Sequence, residues 1–429
     1  MKKFLILIIL LIAVNEANAL PSRYDLRESE RITPVKHQGI PGPCWAFAAL
    51  GAMESNWLTQ GLGKLPYLSE MQVAFYSYRN PEKKRNFTSH IKSGTLSLEG
   101  QVFIPIALMS RLSAPTDEKL LPYSTTLNDS QKKALSKKSP EAFKPSMRLR
   151  DAYYLSGNDT LNHDGMKSLI INRGAIVVSI YSDLDSYRTK GGHYTYFNNS
   201  HGKQTNHDVL IAGWDDEFSR DNFTPKPKNN GAWLIKNSWG TSRGTEGGYF
   251  WTPYEQYMTG GTALIAEKRN PRLRHYGYDD LGFCRSVKYS WGANVFSVSG
   301  KIEILREISF YTLRNNESYE AFVYFHGKER PSSPSGGKLI AHVTGKLEFA
   351  GYHTVNLPEQ FRMKEGEYFS VIVKLSGVYF PVEAKIKNYS ENAEVNRRES
   401  YFSRDGKNWT DGADIGGNAC VKAFSLSRI

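Results

Sequence analysis

One cysteine lies where a stiff loop runs into an apolar helix, a place that suits a nucleophilic thiol. Cys44 follows residues 38–43, a loop that holds two prolines and two glycines. Residues 45–53 are mostly apolar and small, a composition typical of a helix buried between packed surfaces. The free N–H groups and the dipole at the start of such a helix favour an anion. We therefore expect a lowered pKa for the Cys44 thiol.

A thiol nucleophile needs a base, a group that orients the base, and donors for the developing oxyanion. His207 opens one apolar segment predicted as a strand, and Asn237 ends the next such segment. The amide oxygen of Asn237 could accept the imidazole N–H without removing the positive charge that pairs with a thiolate. Gln38 carries an NH₂ group that could form an oxyanion hole together with the backbone N–H of Cys44. These residue types predict covalent catalysis by a thiol.

Taken singly, each of these residues has a structural explanation. A cysteine before Trp45 is usually a packing residue, and a histidine at a strand start is often a hydrogen-bonded polar group. Asn237 could simply belong to a turn. Their joint occurrence in one order along the chain, inside matching flanks, favours the catalytic interpretation.

The three segments resemble the active-site segments of papain-like (cathepsin-type) cysteine proteases. The resemblance implies that Cys44 is the nucleophile, His207 the general base and acid, Asn237 the orienting residue and Gln38 the oxyanion donor. It also implies that the indole of Trp239 shields the hydrogen bond between asparagine and histidine. The implied fold is α+β with two lobes, a helical lobe that carries the thiol and a sheet lobe that carries the base.

Two further positions correspond to the family's substrate groove. Gly100 is the candidate counterpart of the glycines that line this groove, and Glu99 precedes it. The position after the histidine is usually Ala or Gly in the family and lines the pocket for the second residue before the cut. Here that position is Asp208. It is either turned into a local hydrogen bond or forms an acidic pocket floor that favours Lys or Arg.

The length of 429 residues predicts two folded domains after a leader. Residues 1–19 combine two lysines, an apolar run and a small-residue cleavage site, which is typical of a secretory signal peptide. The apolar run is too short for a membrane anchor, and no later segment is apolar enough to span a bilayer. Mature sequence is expected near Leu20, which leaves no room for the family's long inhibitory propeptide.

The second domain is predicted as all-β. From about residue 272 short alternating apolar segments and turns follow one another, which favours a β-sandwich. Residues 350–355 and 368–375 resemble the lectin-like β-sandwich appended to some bacterial papain-like peptidases. The predicted domains are a papain-like peptidase over 20–268 and a lectin-like sandwich over 272–429. The name lectin-like implies carbohydrate binding by the second domain.

The chain has three cysteines, and an exported protein can form disulfides. Pairing Cys284 with Cys420 would leave Cys44 as the single free thiol. Such a loop closure would add about 4–5 kcal/mol in the chain-entropy model. The alternative is that Cys284 and Cys420 are two buried thiols.

The charge distribution and the sequence motifs limit the kinds of ligand and cofactor that we expect the protein to bind. The net charge is +12, and the basic residues are scattered apart from a denser segment over 132–150. A solvated basic loop is favoured there over a site for an anionic surface or polysaccharide. We find no nucleic-acid motif and no metal-ligand spacing among the ten histidines, so no cofactor is expected.

Together these features predict an exported cysteine endopeptidase that hydrolyses peptide bonds in protein or peptide substrates. One alternative is a transpeptidase or cell-wall peptide amidase that uses the same acyl-enzyme. Another is a non-enzymatic glycan-binding adhesin, in which the second domain binds a glycan or cell-surface ligand. The predicted location is secreted, periplasmic or at the cell surface.

Overall fold

The structure is a computed structural model that describes most of the chain. The described residues are 19–39, 42–65, 67–80, 85–86, 100–125, 128, 130, 133, 135, 144–155, 163–198 and 202–428. Residues 1–18 of the predicted signal peptide, Glu99 and, within the basic segment 132–150, residues 132, 134 and 136–143 lie outside them. Within these ranges, no helix is both long enough and apolar enough to cross a membrane.

The helical lobe is organised around one long buried helix. Helix α1 (Cys44–Thr59) is buried continuously from Trp45 to Trp57. It packs against α2 (Glu70–Tyr76), α3 (Phe103–Ser110) and α4 (His163–Arg173). The start of α2 is capped as its sequence indicates, because the Ser69 side chain accepts a hydrogen bond from the Gln72 backbone N–H at 3.1 Å.

The sheet lobe is built from strands between residues 147 and 268 and from one short strand before the thiol. Two further short pieces, β2 (Arg79–Asn80) and β3 (Arg85–Asn86), pair with each other. The strands of the lobe are β1 (Arg23–Asp25), β4 (Met147–Leu155), β5 (Ile176–Ile180), β6 (Tyr187–Lys190), β7 (His193–Tyr196), β8 (His207–Asp215), β9 (Ala232–Lys236), β10 (Tyr249–Pro253) and β11 (Met258–Lys268). Strands β5, β8 and β9 are antiparallel neighbours.

The second domain is a β-sandwich. Its elements are β12 (Leu273–Tyr276), β13 (Arg285–Val287), β14 (Trp291–Ser297), β15 (Ile302–Thr312), β16 (Glu317–Gly327), β17 (Lys338–Leu347), β18 (Ala350–Lys364), β19 (Tyr368–Leu375), β20 (Phe380–Ala384), β21 (Ser400–Ser403), β22 (Thr410–Asp411), α5 (Gly412–Ile415), β23 (Gly417–Ala419) and β24 (Val421–Ser427). A six-stranded sheet, β17-β16-β19-β14-β21-β22, faces the layer β12-β24-β15-β18 across an apolar core. The predicted fold class, a two-lobed α+β fold followed by an all-β sandwich, is confirmed.

One sheet runs through both domains. Strand β4 pairs with β11 of the sheet lobe on one side and with β18 of the sandwich on the other. Gly351 makes this approach possible, because a Cβ there would stand 1.9 Å from the carbonyl oxygen of Ala152. This pairing of β4 with β18 is the seam between the two domains. The buried guanidinium of Arg148 in β4 crosses it and binds both carboxylate oxygens of Glu307 in β15 at 2.6 and 2.9 Å. The two domains are therefore joined by main-chain hydrogen bonds.

The structure contradicts the predicted disulfide between Cys284 and Cys420. All three cysteines are free thiols. Cys284 lies just before β13 and Cys420 just after β23, and these strands flank β20 on opposite sides. Two strand spacings separate their backbones by about 9–10 Å, whereas a disulfide requires Cα atoms no more than about 7 Å apart. The alternative, two thiols packed in the domain, is the observed arrangement.

Candidate active site

Cys44 is the first residue of α1 and is half-buried. The residue before it, Pro43, has φ −79° and ψ 71°, the geometry of an inverse γ-turn. In this turn the backbone N–H of Cys44 donates to the carbonyl oxygen of Gly42 at 3.0 Å. The proline-rich loop thus fixes the direction in which the chain enters the helix and presents the thiol.

His207 and Asn237 come from adjacent strands and meet at their ends. Nε2 of His207 lies 2.9 Å from Oδ1 of Asn237, an oxygen that also accepts the backbone N–H of Ser238 at 2.8 Å. The Trp239 ring stacks on the imidazole, with centroids 4.8 Å apart and an interplanar angle of 21°. The histidine ring is therefore held by an amide on its edge and an indole on its face, and Nδ1 is the ring nitrogen left for the thiol.

The two lobes meet at Cys44. The backbone N–H of Asp208, the residue after His207, lies 3.5 Å from the Sγ of Cys44. The helix start and the strand start are thereby in contact, so the structure brings Cys44, His207 and Asn237 into one site.

Gln38 is buried beside the same loop. Its Nε2 donates to the carbonyl oxygen of Gly42 at 3.2 Å, and its Oε1 accepts the Ser238 hydroxyl at 2.5 Å. The Gly42 oxygen thus receives both donors that were predicted for the oxyanion, the Gln38 amide and the Cys44 backbone N–H. These donors converge on one oxygen atom next to the thiol.

Gly100 lies against the residue that follows the cysteine. A Cβ at position 100 would stand 2.7 Å from the indole of Trp45, so no side chain fits there. This contact places the backbone of Gly100 alongside the first turn of α1, on the helical side of the cleft. Glu99, the residue before Gly100 in the sequence, lies outside the described residues.

The Asp208 side chain forms the local hydrogen bond that one of the two open alternatives required. Its Oδ1 accepts the Ser179 hydroxyl at 2.5 Å, across the pairing of β5 with β8. Its Oδ2 is buried and has no hydrogen-bond partner among the described residues. Burial raises the pKa of this carboxyl to about 6, while the bond to Ser179 acts in the opposite direction.

The electrostatics of the thiol differ from the expectation drawn from the helix start. Burial, followed by the charge of Asp208, raises the pKa of the Cys44 thiol to about 11. Burial lowers the pKa of His207 to about 4, although the bond to Asn237 raises it in part. The predicted lowering of the thiol pKa is therefore wrong, because desolvation outweighs the N–H groups of the helix.

A buried charged layer lies directly behind the asparagine. The Lys36 ammonium lies 2.8 Å from Glu70 and 3.6 Å from Glu54, and Lys236 donates to the hydroxyl of Thr33 at 3.1 Å. The two lysines and the two glutamates border a cavity of about 20 Å³ that Asp208 and Asn237 also line. Burial lowers the pKa of Lys236 to about 8. The layer fixes the strand end that carries the orienting amide.

Sequence reasoning missed several residues of this site. Ser179 and Ser238, which hold Asp208 and Gln38, were not singled out, and neither was the charged layer. A weak signal existed for Ser179 and Glu54, because each interrupts an otherwise apolar strand or helix. No group of three or more His, Cys, Asp or Glu side chains that could hold a metal occurs within the described ranges.

Comparison with protein families and known proteins gives the same two-part division. The model described as papain family cysteine protease matches residues 20–266, more than half of the chain. The model described as lectin like domain matches residues 275–425.

Curated proteins resemble the chain over about half of its length. Probable cysteine protease RD19B of Arabidopsis thaliana is 29% identical over 54% of this chain and 57% of its own length. Mouse cathepsin J is 31% identical over 53% of this chain and 59% of its length. The chain thus spans between half and three fifths of these relatives.

Solved structures extend the similarity over both domains. The clostridial cysteine protease Cwp84, after propeptide cleavage, has a TM-score of 0.78 at 22% identity and covers 95% of this chain and 100% of its own. The cysteine protease and lectin-like domains of Cwp84, a surface layer associated protein of Clostridium difficile, give a TM-score of 0.77 at 21% identity, with 95% and 89% covered. At this identity the match establishes the fold.

Proposed function

The chain belongs to the papain family of cysteine proteases, and we propose that it is a cysteine endopeptidase that cleaves protein or peptide substrates with Cys44 as its nucleophile. The observation that carries this proposal is the hydrogen bond between His207 Nε2 and Asn237 Oδ1, 2.9 Å long, at the strand end that contacts the thiol. A histidine fixed on one nitrogen by an amide has its other nitrogen free for proton exchange. This is the arrangement that a thiol nucleophile requires.

The proposed first step forms an acyl-enzyme. Nδ1 of His207 takes the proton of the Cys44 thiol as Sγ bonds to the substrate carbonyl carbon. The tetrahedral intermediate collapses when the imidazolium gives this proton to the leaving amine, and the C–N bond breaks. Asn237 keeps the ring oriented during both transfers, since its amide oxygen accepts the N–H of Nε2 throughout.

The proposed oxyanion hole uses the two donors that meet at Gly42. Gln38 Nε2 and the Cys44 backbone N–H would turn from the Gly42 oxygen to the negative oxygen of the intermediate. Ser238 holds the other end of the Gln38 amide and so limits the directions in which this donor can turn. Two donors that already converge on one oxygen support this role.

In the second proposed step, water loses a proton to His207 and attacks the thioester. The C–S bond breaks, the carboxylic acid leaves and the thiol is restored. A transpeptidase would differ only in using an amine in place of water. Product analysis by mass spectrometry, with and without an added amine, separates hydrolysis from transfer.

We also propose the surrounding organisation that the sequence predicts. It comprises a signal peptide over 1–19, a peptidase domain over 20–268 and a lectin-like domain over 272–429, in an exported protein. The match of residues 275–425 to a lectin like domain supports a glycan or cell-surface ligand for the second domain.

The function is tested by hydrolysis of a fluorogenic peptide library under reducing conditions. We expect cleavage by the protein and its loss in Cys44→Ala. Cleavage that persists in Cys44→Ala would contradict the assignment of the nucleophile.

A further inference from the structure

An exposed arginine lies beside the indole that covers the histidine of the site. Trp239 stacks on the His207 imidazole with centroids 4.8 Å apart, and the guanidinium carbon of Arg243 lies 5.4 Å from the centroid of the same indole. Arg243 is exposed and Trp239 is half-buried. One indole therefore contacts both the imidazole and a positive charge.

A buried tyrosine orients this guanidinium. The Nε of Arg243 donates to the hydroxyl of Tyr194 at 3.2 Å, and Tyr194 is buried. The Tyr194 ring stacks on Tyr187, which packs against Trp239 with centroids 5.5 Å apart. The bond to Tyr194 uses the Nε edge of the guanidinium and leaves its two terminal nitrogens. Such a pair of nitrogens can bind both oxygens of one carboxylate.

The loop that carries Arg243 packs closely on the same tyrosine. Gly244 has φ +72°, and a Cβ there would stand 2.2 Å from the Tyr194 ring, so only glycine lets the loop lie at this distance. One residue further, the Thr245 hydroxyl donates to the carbonyl oxygen of Gly192 at 3.2 Å. These contacts fix the backbone on the side of Arg243 that follows it in the chain.

Arg243 has no acidic partner within the described part of the chain. Its described contacts are the tyrosine hydroxyl and the indole, and neither carries a charge. Glu246 is the acidic residue nearest to it along the chain, and its carboxylate lies 2.9 Å from the His193 ring instead. The positive charge of Arg243 is thus available to a ligand.

The proposed reaction places part of the substrate on this side of the cleft. His207 gives its proton to the leaving amine, so the residues after the scissile bond begin beside the imidazole. One indole separates the imidazole from the guanidinium, and an extended peptide advances about 3.5 Å per residue. A carboxylate on the first or second residue after the cut can therefore reach Arg243.

We propose that Arg243 binds a carboxylate on the leaving side of the substrate, and that the protein therefore prefers peptides with Asp or Glu at the first or second residue after the scissile bond. This inference rests on the proposed peptidase function. The recognised group is a carboxylate, which has two sources. An acidic side chain supplies it within a longer peptide, and the chain end supplies it in a peptide that stops at the second residue.

The first experiment compares Glu with Gln in two peptide series, one for each of these positions. In one series or both, kcat/KM for Glu should exceed that for Gln about fivefold or more at pH 7. In Arg243→Gln this ratio should fall to about one, and Arg243→Glu should favour Lys over Glu. Because Arg243 is exposed, neither change is expected to unfold the protein.

The matched control is Arg188→Gln, which removes another exposed arginine of the sheet lobe. Arg188 follows Tyr187 in β6, so its side chain leaves the strand on the face opposite to the ring that contacts Trp239. This control should keep the ratio of the unmodified protein. If Arg243→Gln slowed the Glu and Gln peptides equally, Arg243 would only support the indole and the proposal would be overturned.

A second set of peptides separates the two sources of the carboxylate. These peptides carry Gln at the second residue after the cut and end there, either as the free acid or as the amide. A preference for the free acid that disappears in Arg243→Gln identifies the chain end as the bound group. A preference confined to the Glu series identifies the side chain. Both support the proposal, whereas no dependence on Arg243 in either set would overturn it.

A binding measurement keeps this test independent of cleavage. In Cys44→Ala, which cannot form the acyl-enzyme, fluorescence anisotropy should show about fivefold tighter binding of a labelled Glu peptide than of its Gln counterpart. The difference should shrink at high salt, because an exposed ion pair is screened, and it should be lost when Arg243→Gln is added. Equal affinities would overturn the carboxylate site even in an active peptidase. A difference that depends on Arg243 would support the site even if no peptide were cleaved.

Discussion

The backbone N–H of Asp208 lies 3.5 Å from the Sγ of Cys44, and this contact places a buried carboxyl group beside the thiol. The charge of Asp208 is the second cause, after burial, of the raised pKa of the thiol. The pKa of Asp208 itself is raised to about 6. Asp208 is therefore ionised above about pH 6, where it opposes the thiolate, and neutral below that pH.

We predict that Asp208→Asn speeds peptide hydrolysis at neutral pH. Removal of this charge lowers the thiol pKa, which raises the thiolate fraction more than it reduces the nucleophilicity of the thiolate, so we expect a gain of about threefold. In the unmodified protein kcat/KM should rise less steeply with pH across the Asp208 pKa than in the variant, because ionised Asp208 opposes formation of the thiolate. Profiles of kcat/KM against pH measure both effects.

The matched control is Asp185→Asn, which removes an exposed carboxylate of the same lobe and should leave the profile unchanged. The unmodified protein and Asp185→Asn should both remain active in mildly acidic solution, because the lowered pKa of His207, about 4, leaves its imidazole neutral there. An Asp208→Asn variant slower than the unmodified protein at pH 7 would refute the role of this charge.

The convergence of two donors on the Gly42 oxygen leads to a prediction for the oxyanion hole. Gln38→Ala should lower kcat by about 10²–10³-fold with a small change in KM, the effect typical of a lost oxyanion donor. Ser238→Ala removes only the hydroxyl that holds Gln38, so it should lower kcat by about tenfold or less. Steady-state kinetics on one peptide give both values. Equal kcat values in Gln38→Ala and the unmodified protein would exclude this donor.

The seam between the domains makes a prediction about stability. Glu307→Ala leaves the buried Arg148 guanidinium with Glu267 as its remaining close carboxylate. We expect it to lower the free energy of unfolding by about 2–3 kcal/mol, since a buried charge loses one partner. Urea denaturation measures the change, with Glu365→Ala at an exposed site as the control. A value within about 0.5 kcal/mol of the control would contradict a structural role for this pair.

The same seam predicts the behaviour of a truncated chain. A protein that ends near residue 268 would expose the edge of β4 that pairs with β18. Such an edge invites pairing with other chains. We expect this truncated protein to aggregate or unfold at lower temperature than the full chain, as measured by light scattering during a thermal scan. Equal stability and equal activity of the two proteins would show that the peptidase is independent of the sandwich.

The three free thiols predict the number of cysteines that react with a thiol reagent when no reductant is present. Titration of the unfolded, oxidant-free protein with a thiol reagent should count three thiols per chain, as the structure has them. Cys420→Ser should then cost about 1–3 kcal/mol through burial of a hydroxyl, below the 4–5 kcal/mol or so expected for a lost disulfide. A count of one thiol would restore the pairing of Cys284 with Cys420.

Whether a feature could be predicted from the sequence depends on whether neighbouring residues determine it. The positions of Cys44, His207 and Asn237 could be predicted because each lies in a segment whose flanking residues also determine its helix or strand. The sandwich could be predicted because alternation within each strand reflects one buried face. These features are set by neighbouring residues.

What the sequence did not reveal depends on distant contacts. The pairing of β4 with β18 joins segments about two hundred residues apart and leaves no local pattern. The separation of Cys284 and Cys420 by an intervening strand is a matter of sheet order. The raised pKa of Cys44 follows from burial and from Asp208, which only the assembled cleft brings together.

The most direct test is labelling of the purified protein with a peptidyl epoxide probe of cysteine proteases, read by intact mass and peptide mapping under reducing conditions. The account predicts one label, located on Cys44, that is absent in Cys44→Ala and strongly reduced in His207→Ala. Undiminished labelling of Cys44 in His207→Ala, or no labelling of the unmodified protein, would contradict a thiol activated by this histidine.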